Sequence, residues 1–427
     1  MSKINSFYVK MYLYTINGLL YIYLGGLKMY LNKIKDAREN IKDIVVNTPL
    51  LYSSIFSDIS KNEVFMKCEN LQLTGAYKIR GALNKISSLN EEEKSKGVVC
   101  SSAGNHAQGV AFASSLVDVD ATIVMPKTTP YLKVQSTKAF GGNVVLYGEC
   151  YDDAYLEAKR IEKEDGKLFI HPFDDEDIIC GQGTIALEIL EEIENLDYIL
   201  CPIGGGGLIS GVSLAAKEIN PNIKIIGVQA EGAAAMAISY KMGKITPLDK
   251  IHTIADGIAV KNPGNITFDF IKNNVDEIIT VSENDIVEAF LLLAEKQKLL
   301  AEPSGAVTLA ALKKLEVSDK KICCIISGGN IDMLTISSLI NNGLVSRGRL
   351  LCFNVELRDI PGQLLQISTL LAEQNANVVK LEHNQFKALD RISNVMLEVT
   401  VETNGHEHIE QIKKAFKNKG YSIKVLY

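Results

Sequence analysis

The sequence predicts an α/β fold with mostly parallel sheets, followed by a separate C-terminal module of another kind. Three observations carry this. From Ile34 onward, short apolar runs alternate with helical periods of ten or more residues, the pattern of βα units built on a parallel sheet. From Leu350 to Tyr427 the apolar residues instead recur every second position in several runs, as in strands with one buried face. A length of 427 residues suits two or three domains at roughly 150 residues each.

Taken in order, Val64–Cys68 reads as a strand and Ile79–Leu89 as a helix. The strands Val98–Ser101, Ala121–Met125 and Val144–Tyr147 follow, with helices His106–Leu116, Tyr131–Ala139 and Asp153–Lys163 after them. Strand Tyr198–Pro202 leads to helix Ile209–Ile219, and then come strands Ile223–Gln229 and Ile322–Ile326. A break falls at Gly343–Gly348. Beyond it, Leu351, Phe353, Val355 and Leu357 alternate, as do Val395, Leu397, Val399 and Val401. A helix after Pro361, a strand around Val378–Leu381, a helix through Ile409, Ile412 and Phe416, and a closing strand with Ile423 and Val425 complete the order βαββαβ. That is the ferredoxin-like arrangement, here read as a ligand-sensing or oligomerising module.

Composition narrows the function. The hydrophobic and charged shares are 47% and 22%, and the net charge is −6. There is no global basic field for nucleic acid or anionic lipid. The eight cysteines include no C-x-x-C pair and sit in apolar runs, as reduced thiols of a cytoplasmic protein do. The six histidines show no zinc spacing, so no metal site is expected. The front of the chain differs: six of the 16 Tyr (Tyr8, Tyr12, Tyr14, Tyr21, Tyr23, Tyr30) fall in the first 30 residues. The uncharged run Met11–Leu27 resembles a signal h-region, yet it is shorter than a spanning helix of about 20 residues and no small-x-small cleavage site follows. Residues 1–28 are therefore expected to be a disordered, dispensable extension or a start-site artefact ahead of Met29, with no membrane partner.

Four segments offer chemistry. Gly204-Gly205-Gly206-Gly207 lies between a strand and a helix, where backbone N–H groups and the helix dipole suit a phosphate. It matches neither the dinucleotide nor the Walker pattern, and a flexible turn is the plain alternative. Lys78, in Thr74–Ala82, opens a helix. A lysine there sits against the dipole, and desolvation suits it to Schiff-base chemistry, although a lone lysine is ordinarily a surface cation. Ser101–Gly109 is a third strand–turn–helix whose N–H groups at Ser102, Ala103, Gly104, Asn105 and His106 suit a carboxylate. Asn105 can donate to a phenolic oxygen, and His106 is expected to orient the loop without transferring protons. Ser327-Gly328-Gly329-Asn330 ends a buried strand, where a hydroxyl can meet a heterocycle nitrogen. Alone it is only a small-residue strand end.

Together and in this order, the four segments resemble the pyridoxal-phosphate enzymes of the tryptophan synthase β superfamily, fold type II. Within it they are most similar to the threonine/serine dehydratases. The resemblance runs from about Asn32 to Gly343 and includes Gly181-Gln182-Gly183-Thr184, Ala255–Val260 and Glu302-Pro303-Ser304-Gly305-Ala306. The tail, with Asp359-Ile360-Pro361-Gly362, resembles an ACT domain. A dehydratase with one ACT domain is similar to the threonine ammonia-lyases of bacterial amino-acid metabolism.

The resemblance implies two lobes, each a three-layer αβα sandwich with a mostly parallel sheet. Residues 29–67 and 166–345 would form the large cofactor-binding lobe, 68–165 the small lobe and 350–427 the ACT domain. Lys78 would hold the cofactor covalently and then act as the base on the substrate. Gly204 to Gly207 and Leu208 would bind the phosphate, Tyr77 would cover the ring, Asn105 would bond its phenolic oxygen and Ser327 its nitrogen. Ser102 to His106 would take the substrate carboxylate, and Asp359 and Gly362 an ACT ligand. L-Threonine and L-serine are the implied substrates, isoleucine or valine the implied effectors, and a homodimer or homotetramer the implied assembly. Racemases of this family carry Ser where Ala103 stands, so elimination is favoured over racemisation. Some relatives hold a divalent ion after the strand ending at Gln229. Here the run is Glu231-Gly232-Ala233-Ala234-Ala235, and one carboxylate is a poor site. Two alternatives stay open: another β-elimination or replacement enzyme of the same fold, such as a serine dehydratase or threonine synthase, and a non-catalytic amino-acid sensor.

Overall fold

The computed structural model describes residues 29–384 and 394–427. The Tyr-rich stretch before Met29, with the expectations placed on it, lies outside the described residues. No helix among those described is long and apolar enough to cross a membrane. The chain divides into two compact units after Ile331.

The strands are β1 (Leu50–Tyr52), β2 (Glu63–Lys67), β3 (Val98–Ser101), β4 (Ala121–Met125), β5 (Asn143–Leu146), β6 (Leu168–Phe169), β7 (Tyr198–Pro202), β8 (Lys224–Ala230), β9 (Glu277–Val281), β10 (Lys321–Ile325), β11 (Leu350–Arg358), β12 (Asn377–Asn384), β13 (Asn394–Glu402) and β14 (Ile423–Val425). The first unit holds a six-stranded sheet in the order β1-β2-β10-β7-β8-β9 and a four-stranded sheet in the order β5-β4-β3-β6. Only β1 runs antiparallel, pairing Leu50 with Lys67. Every other pairing in both sheets is parallel. Parallel strands need helical crossovers on both faces, and β3, β4, β7 and β10 read as near-continuous apolar runs because both faces are covered.

The helix Glu176–Glu192 lies at the centre of this unit. Asp175 starts it by accepting from the N–H groups of Asp177 (2.9 Å) and Ile178 (3.1 Å), the usual N-cap bond. Every residue from Ile178 to Ile189 is buried, so the helix has no polar face. It packs against two neighbours through glycine. A Cβ on Gly181 would lie 2.6 Å from Gly81 Cα, in the helix Lys78–Ser87. A Cβ on Gly211, in the helix Gly207–Ile219, would overlap the Ile179 carbonyl oxygen and lie 2.5 Å from Gly183 N. Three helices thus approach to backbone distance on the Gly-Gln-Gly-Thr segment.

The second unit, Asp332–Tyr427, starts with the helix Met333–Ser346, capped by Asp332 through Thr335 N–H at 2.9 Å. Most of its residues lie in the span 166–345 expected for the large lobe, and it runs into the break expected at Gly343–Gly348. Its C-terminal end is held by the tail: His406 Nε2 lies 3.1 Å from Ser346 O, and Gly405 N–H donates to Gly348 O at 3.0 Å. The antiparallel sheet runs β12-β13-β11-β14, with helices Gln363–Glu373 and His406–Asn418. This is the ferredoxin-like βαββαβ order. Its core gathers Leu351, Phe353, Val355 and Val399, the alternating strand residues that the sequence marks, with Ile367 and Phe416 from the two helices.

The glycine contacts predict a substitution effect. Gly211→Ala should destabilise the first unit by about 1–3 kcal/mol through overpacking. Urea unfolding followed by circular dichroism checks it, and an unchanged midpoint would contradict the close approach.

Candidate active site

Three of the four sequence-marked segments directly follow the carboxyl ends of parallel strands, where open α/β sheets bind ligands. Ser102–His106 follows β3, the tetraglycine follows β7 and Ser327 follows β10; Lys78 follows β2 after a short connection. The fold closes them into one ring of contacts.

Lys78 begins its helix with Tyr77 as the preceding cap residue. Tyr77 N–H donates to Ser327 O at 3.1 Å, and Ala76 bridges Gly328. The lysine is thereby fastened to the end of β10. Its Nζ donates to Pro172 O at 2.7 Å and lies 5.4 Å from the Tyr77 ring centroid. Burial pushes the Lys78 ammonium down to about 8, against a partial opposing pull from Glu302. A neutral-amine fraction far above that of an ordinary lysine near neutral pH is what a nucleophilic lysine requires.

Phe173, next to Pro172, carries the ring to the glycine loop. A Cβ on Gly205 would overlap the Phe173 ring, and one on Gly207 would lie 3.0 Å from its Cα. Gly206 adopts φ +102°, with Thr267 Cβ 2.8 Å from where its own Cβ would fall. Thr267 Oγ1 pins the turn by donating to Gly205 O at 2.6 Å. Glycine is therefore required along this loop for both space and backbone angle. The helix Gly207–Ile219 starts there, so its first N–H groups have no intrahelical acceptor. The cradle fits a phosphate, and the amine beside it fits an aldehyde.

The loop Asp256–Ile258 continues the ring. A Cβ on Gly204 would lie 3.2 Å from Ile258 Cα, and one on Gly257 would lie 3.0 Å from Glu302 Oε1. Glu302, 5% exposed, accepts from Asn105 Nδ2 at 2.8 Å. Burial, reinforced by Asp256, lifts its carboxyl to about 8. Asn330 Nδ2 donates to Asn105 Oδ1 at 2.8 Å and to Thr74 O at 2.7 Å, which returns the circuit to the lysine segment.

The remaining marked residues fall as follows. Ser327 is buried. His106 is buried with Nε2 3.0 Å from Ile170 O. Burial and then the Lys78 charge depress it to about 3, so a neutral imidazole donates to that carbonyl and holds the Ser102–His106 turn. Open space surrounds the position of a Cβ on Gly104. Asn105 starts the helix Asn105–Leu116, whose first N–H groups border that space. Glu231 meets the Lys314 ammonium at 3.4 Å, which also donates to Thr280 O at 2.9 Å. No group of three or more His, Cys, Asp or Glu that could hold a metal ion occurs among the described residues. Asp359 and Gly362 belong to the second unit, where Gly362, at φ +93°, precedes the helix Gln363–Glu373.

Glu302 and Asn330 received no role from the residues alone. The signal available was their place in two matching segments. Nothing local says that a glutamate 197 residues from Asn105 bonds its amide.

Residues 41–328 match the family model described as pyridoxal-phosphate dependent enzyme. The chain is 45% identical over 392 residues to the L-threonine ammonia-lyase of Thermotoga maritima, covering 92% of this chain and 98% of that protein. A match of that length extends into the second unit. Among solved structures, the processed form of threonine deaminase isoform 2 from Solanum lycopersicum is 37% identical, with a TM-score of 0.72 over 74% of this chain and 88% of that one. Maize serine racemase is 39% identical, with a TM-score of 0.70 over 74% and 98%.

The Lys78 environment sets a pH dependence. Only the neutral amine attacks an aldehyde, so capture of pyridoxal phosphate by the cofactor-free protein should accelerate with pH, with its half-point near about 8 and a plateau beyond it. The growth rate of the visible absorbance band after mixing, read from pH 6 to 10, checks this. A half-point near 10 would show an ordinary lysine.

Proposed function

The chain belongs to the pyridoxal-phosphate dependent enzymes, and from that premise we propose that it deaminates L-threonine to 2-oxobutanoate and ammonia, with conversion of L-serine to pyruvate as a side activity. The observation that carries the reading is the closed ring joining Lys78, the glycine cradle, Asn105 and Ser327. The named activity of the Thermotoga maritima relative supports the same substrate.

When bound, pyridoxal phosphate draws electrons from the substrate's α-carbon and so acidifies its proton. The chain's own groups do the rest. N–H groups from Gly204 to Leu208 hold the phosphate, with the helix dipole adding to their charge. Ser327 meets the ring nitrogen with a neutral hydroxyl, which does not stabilise a protonated ring as a carboxylate would. Asn105 donates to the ring's phenolic oxygen and Tyr77 covers the ring. The N–H groups of Ala103, Gly104, Asn105 and His106 hold the substrate carboxylate, while the Ser102 N–H is taken by Val124 O at 3.2 Å and serves to fix the turn. Lys78, freed once the substrate has taken its place, removes the α-proton at Nζ. The Ala103 side chain has no exchangeable proton to deliver to the opposite face. The similarity to serine racemases therefore supports the fold and the cofactor, while the side chain at this position supports elimination.

The lobe assignment stays residues 68–165 as the small lobe and 29–67 with 166–345 as the large one; strands β3, β4 and β5 of the four-stranded sheet fall in the first span, and its edge strand β6 lies just beyond it. The second unit is read as an ACT domain. Isoleucine or valine would bind near Asp359 and Gly362, where the turn at Gly362 leaves open space for a ligand backbone. All eight cysteines are free thiols and only Cys150 is exposed, in keeping with a cytoplasmic protein. A homodimer or homotetramer is the proposed assembly.

Two measurements test this. Incubation with L-threonine should yield 2-oxobutanoate, and Lys78→Ala should lower the rate at least a hundredfold and abolish the visible band. Absence of 2-oxo acid from both threonine and serine would refute the deaminase. Titration of the threonine rate with isoleucine and with valine should shift the saturation curve. If rate and oligomer size both stay constant, the tail is an assembly contact and not a sensor.

A further inference from the structure

The Asn105 amide has two faces, and only one of them can donate to a phenolic oxygen. Which face points where is decided by a chain of bonds that starts at a main-chain carbonyl. Thr74 O can only accept, so the Asn330 side chain must present Nδ2 to it, at 2.7 Å. The same Nδ2 donates to Asn105 Oδ1 at 2.8 Å. Asn105 must then turn Nδ2 the other way, where Glu302 Oε1 accepts one of its two protons at 2.8 Å. The second proton is left for the ligand.

Two glycines make room for this relay. A Cβ on Gly75, at φ +71°, would overlap Asn330 Oδ1. A Cβ on Gly328 would lie 2.8 Å from Glu302 Oε1 and 3.2 Å from Asn105 Nδ2. Glu302 is itself held by its backbone, its N–H donating to Gly328 O at 3.0 Å. Both ends of the relay are thus anchored on main-chain groups of the same crossing segments.

We propose that Asn330 and Glu302 are positioning residues that lock the Asn105 amide with its N–H face toward the phenolic oxygen of pyridoxal phosphate. The inference rests on the reading of Asn105 as the partner of that oxygen. It adds that the partner is oriented from outside the contact, by two side chains that do not touch the reacting atoms.

Four variants of the full-length holoenzyme test it, with the cofactor's dissociation constant and the position of its visible band as readouts. Loss of one amide donor to a charged oxygen should weaken retention about tenfold and move the band, so Asn105→Ala sets the scale. Asn330→Asp keeps the shape but cannot donate to Thr74 O. It should turn the Asn105 amide round and reproduce most of the Asn105→Ala change. Glu302→Ala should act in the same direction. Glu302→Gln keeps an acceptor for Asn105 and should remain within about twofold of the parent on both readouts. A role confined to folding would not separate the Gln from the Ala variant. If Asn105→Ala changes both readouts while Asn330→Asp and Glu302→Ala change neither, the relay is refuted and the cofactor contact stands. Equal changes in Glu302→Gln and Glu302→Ala also refute it. If Asn105→Ala changes nothing, the contact and the relay both fail. Should Asn330→Asp not fold, the Glu302 pair decides alone.

Discussion

The first unit depends on a charge network buried beneath the lysine helix. Arg80, fully buried, forks onto Glu69 with Nε and Nη2 at 2.9 and 2.8 Å, and onto Glu188 with Nη1 and Nη2 at 2.6 and 2.9 Å. Thr184 Oγ1 and Val46 O take further bonds at 3.1 and 3.2 Å. Lys67, also fully buried, reaches Glu188 at 2.7 Å and donates to Asn47 Oδ1 and Thr48 O. Two cations face two carboxylates, so the cluster is neutral. Burying charges costs several kcal/mol per ion unless they are paired and hydrogen-bonded. A displaced partner would leave an uncompensated charge in the core, and that penalty selects one arrangement. Arg80 stands two residues beyond Lys78. The network therefore fixes the register of the lysine helix against β2 and the helix Glu176–Glu192.

The glycine contacts extend the same constraint to the other side of the site. The helix that carries Lys78 and the helix that starts at the phosphate cradle both pack on one central helix, through Gly81 on Gly181 and through Gly211 against Gly183. Side chains at those crossings would add several ångströms of separation and some freedom of slip. Backbone contact removes both. The amine and the cradle are consequently held on a common rigid support, as a cofactor anchored at one end by a covalent bond and at the other by a phosphate requires.

Much of this was legible beforehand. Strands Val98–Ser101, Ala121–Met125 and Tyr198–Pro202 and the helix Tyr131–Ala139 occur with the limits read from the sequence, because short apolar runs bounded by turns leave few choices. The helix Glu176–Glu192 was not read as an element. It is buried on every side, so it lacks an amphipathic period, and its glycines look like turns until their neighbours are known. The strands Leu50–Tyr52 and Leu168–Phe169 also escaped, being two or three residues long. Helix Met333–Ser346 is not legible either: it runs through Gly343, part of the expected break, and a glycine-containing stretch is a weak boundary mark when the flanking bonds are unseen.

The sequence by itself determined the residue types and their order: a lysine at a helix start, three small-residue turns after strands, and an alternating tail. Local pattern suffices there because helix period, strand period and glycine's backbone freedom are properties of short segments. Only the tertiary structure decided that Lys78, Pro172, Gly205, Ile258, Glu302 and Asn105 lie in one ring, that His106 spends its proton on a main-chain carbonyl, and that Asn105 can point its amide one way. Those facts depend on hydrogen bonds between groups 64 to 256 residues apart. Such bonds leave no periodic trace in the chain. They exist because buried polar groups must find partners wherever packing brings them.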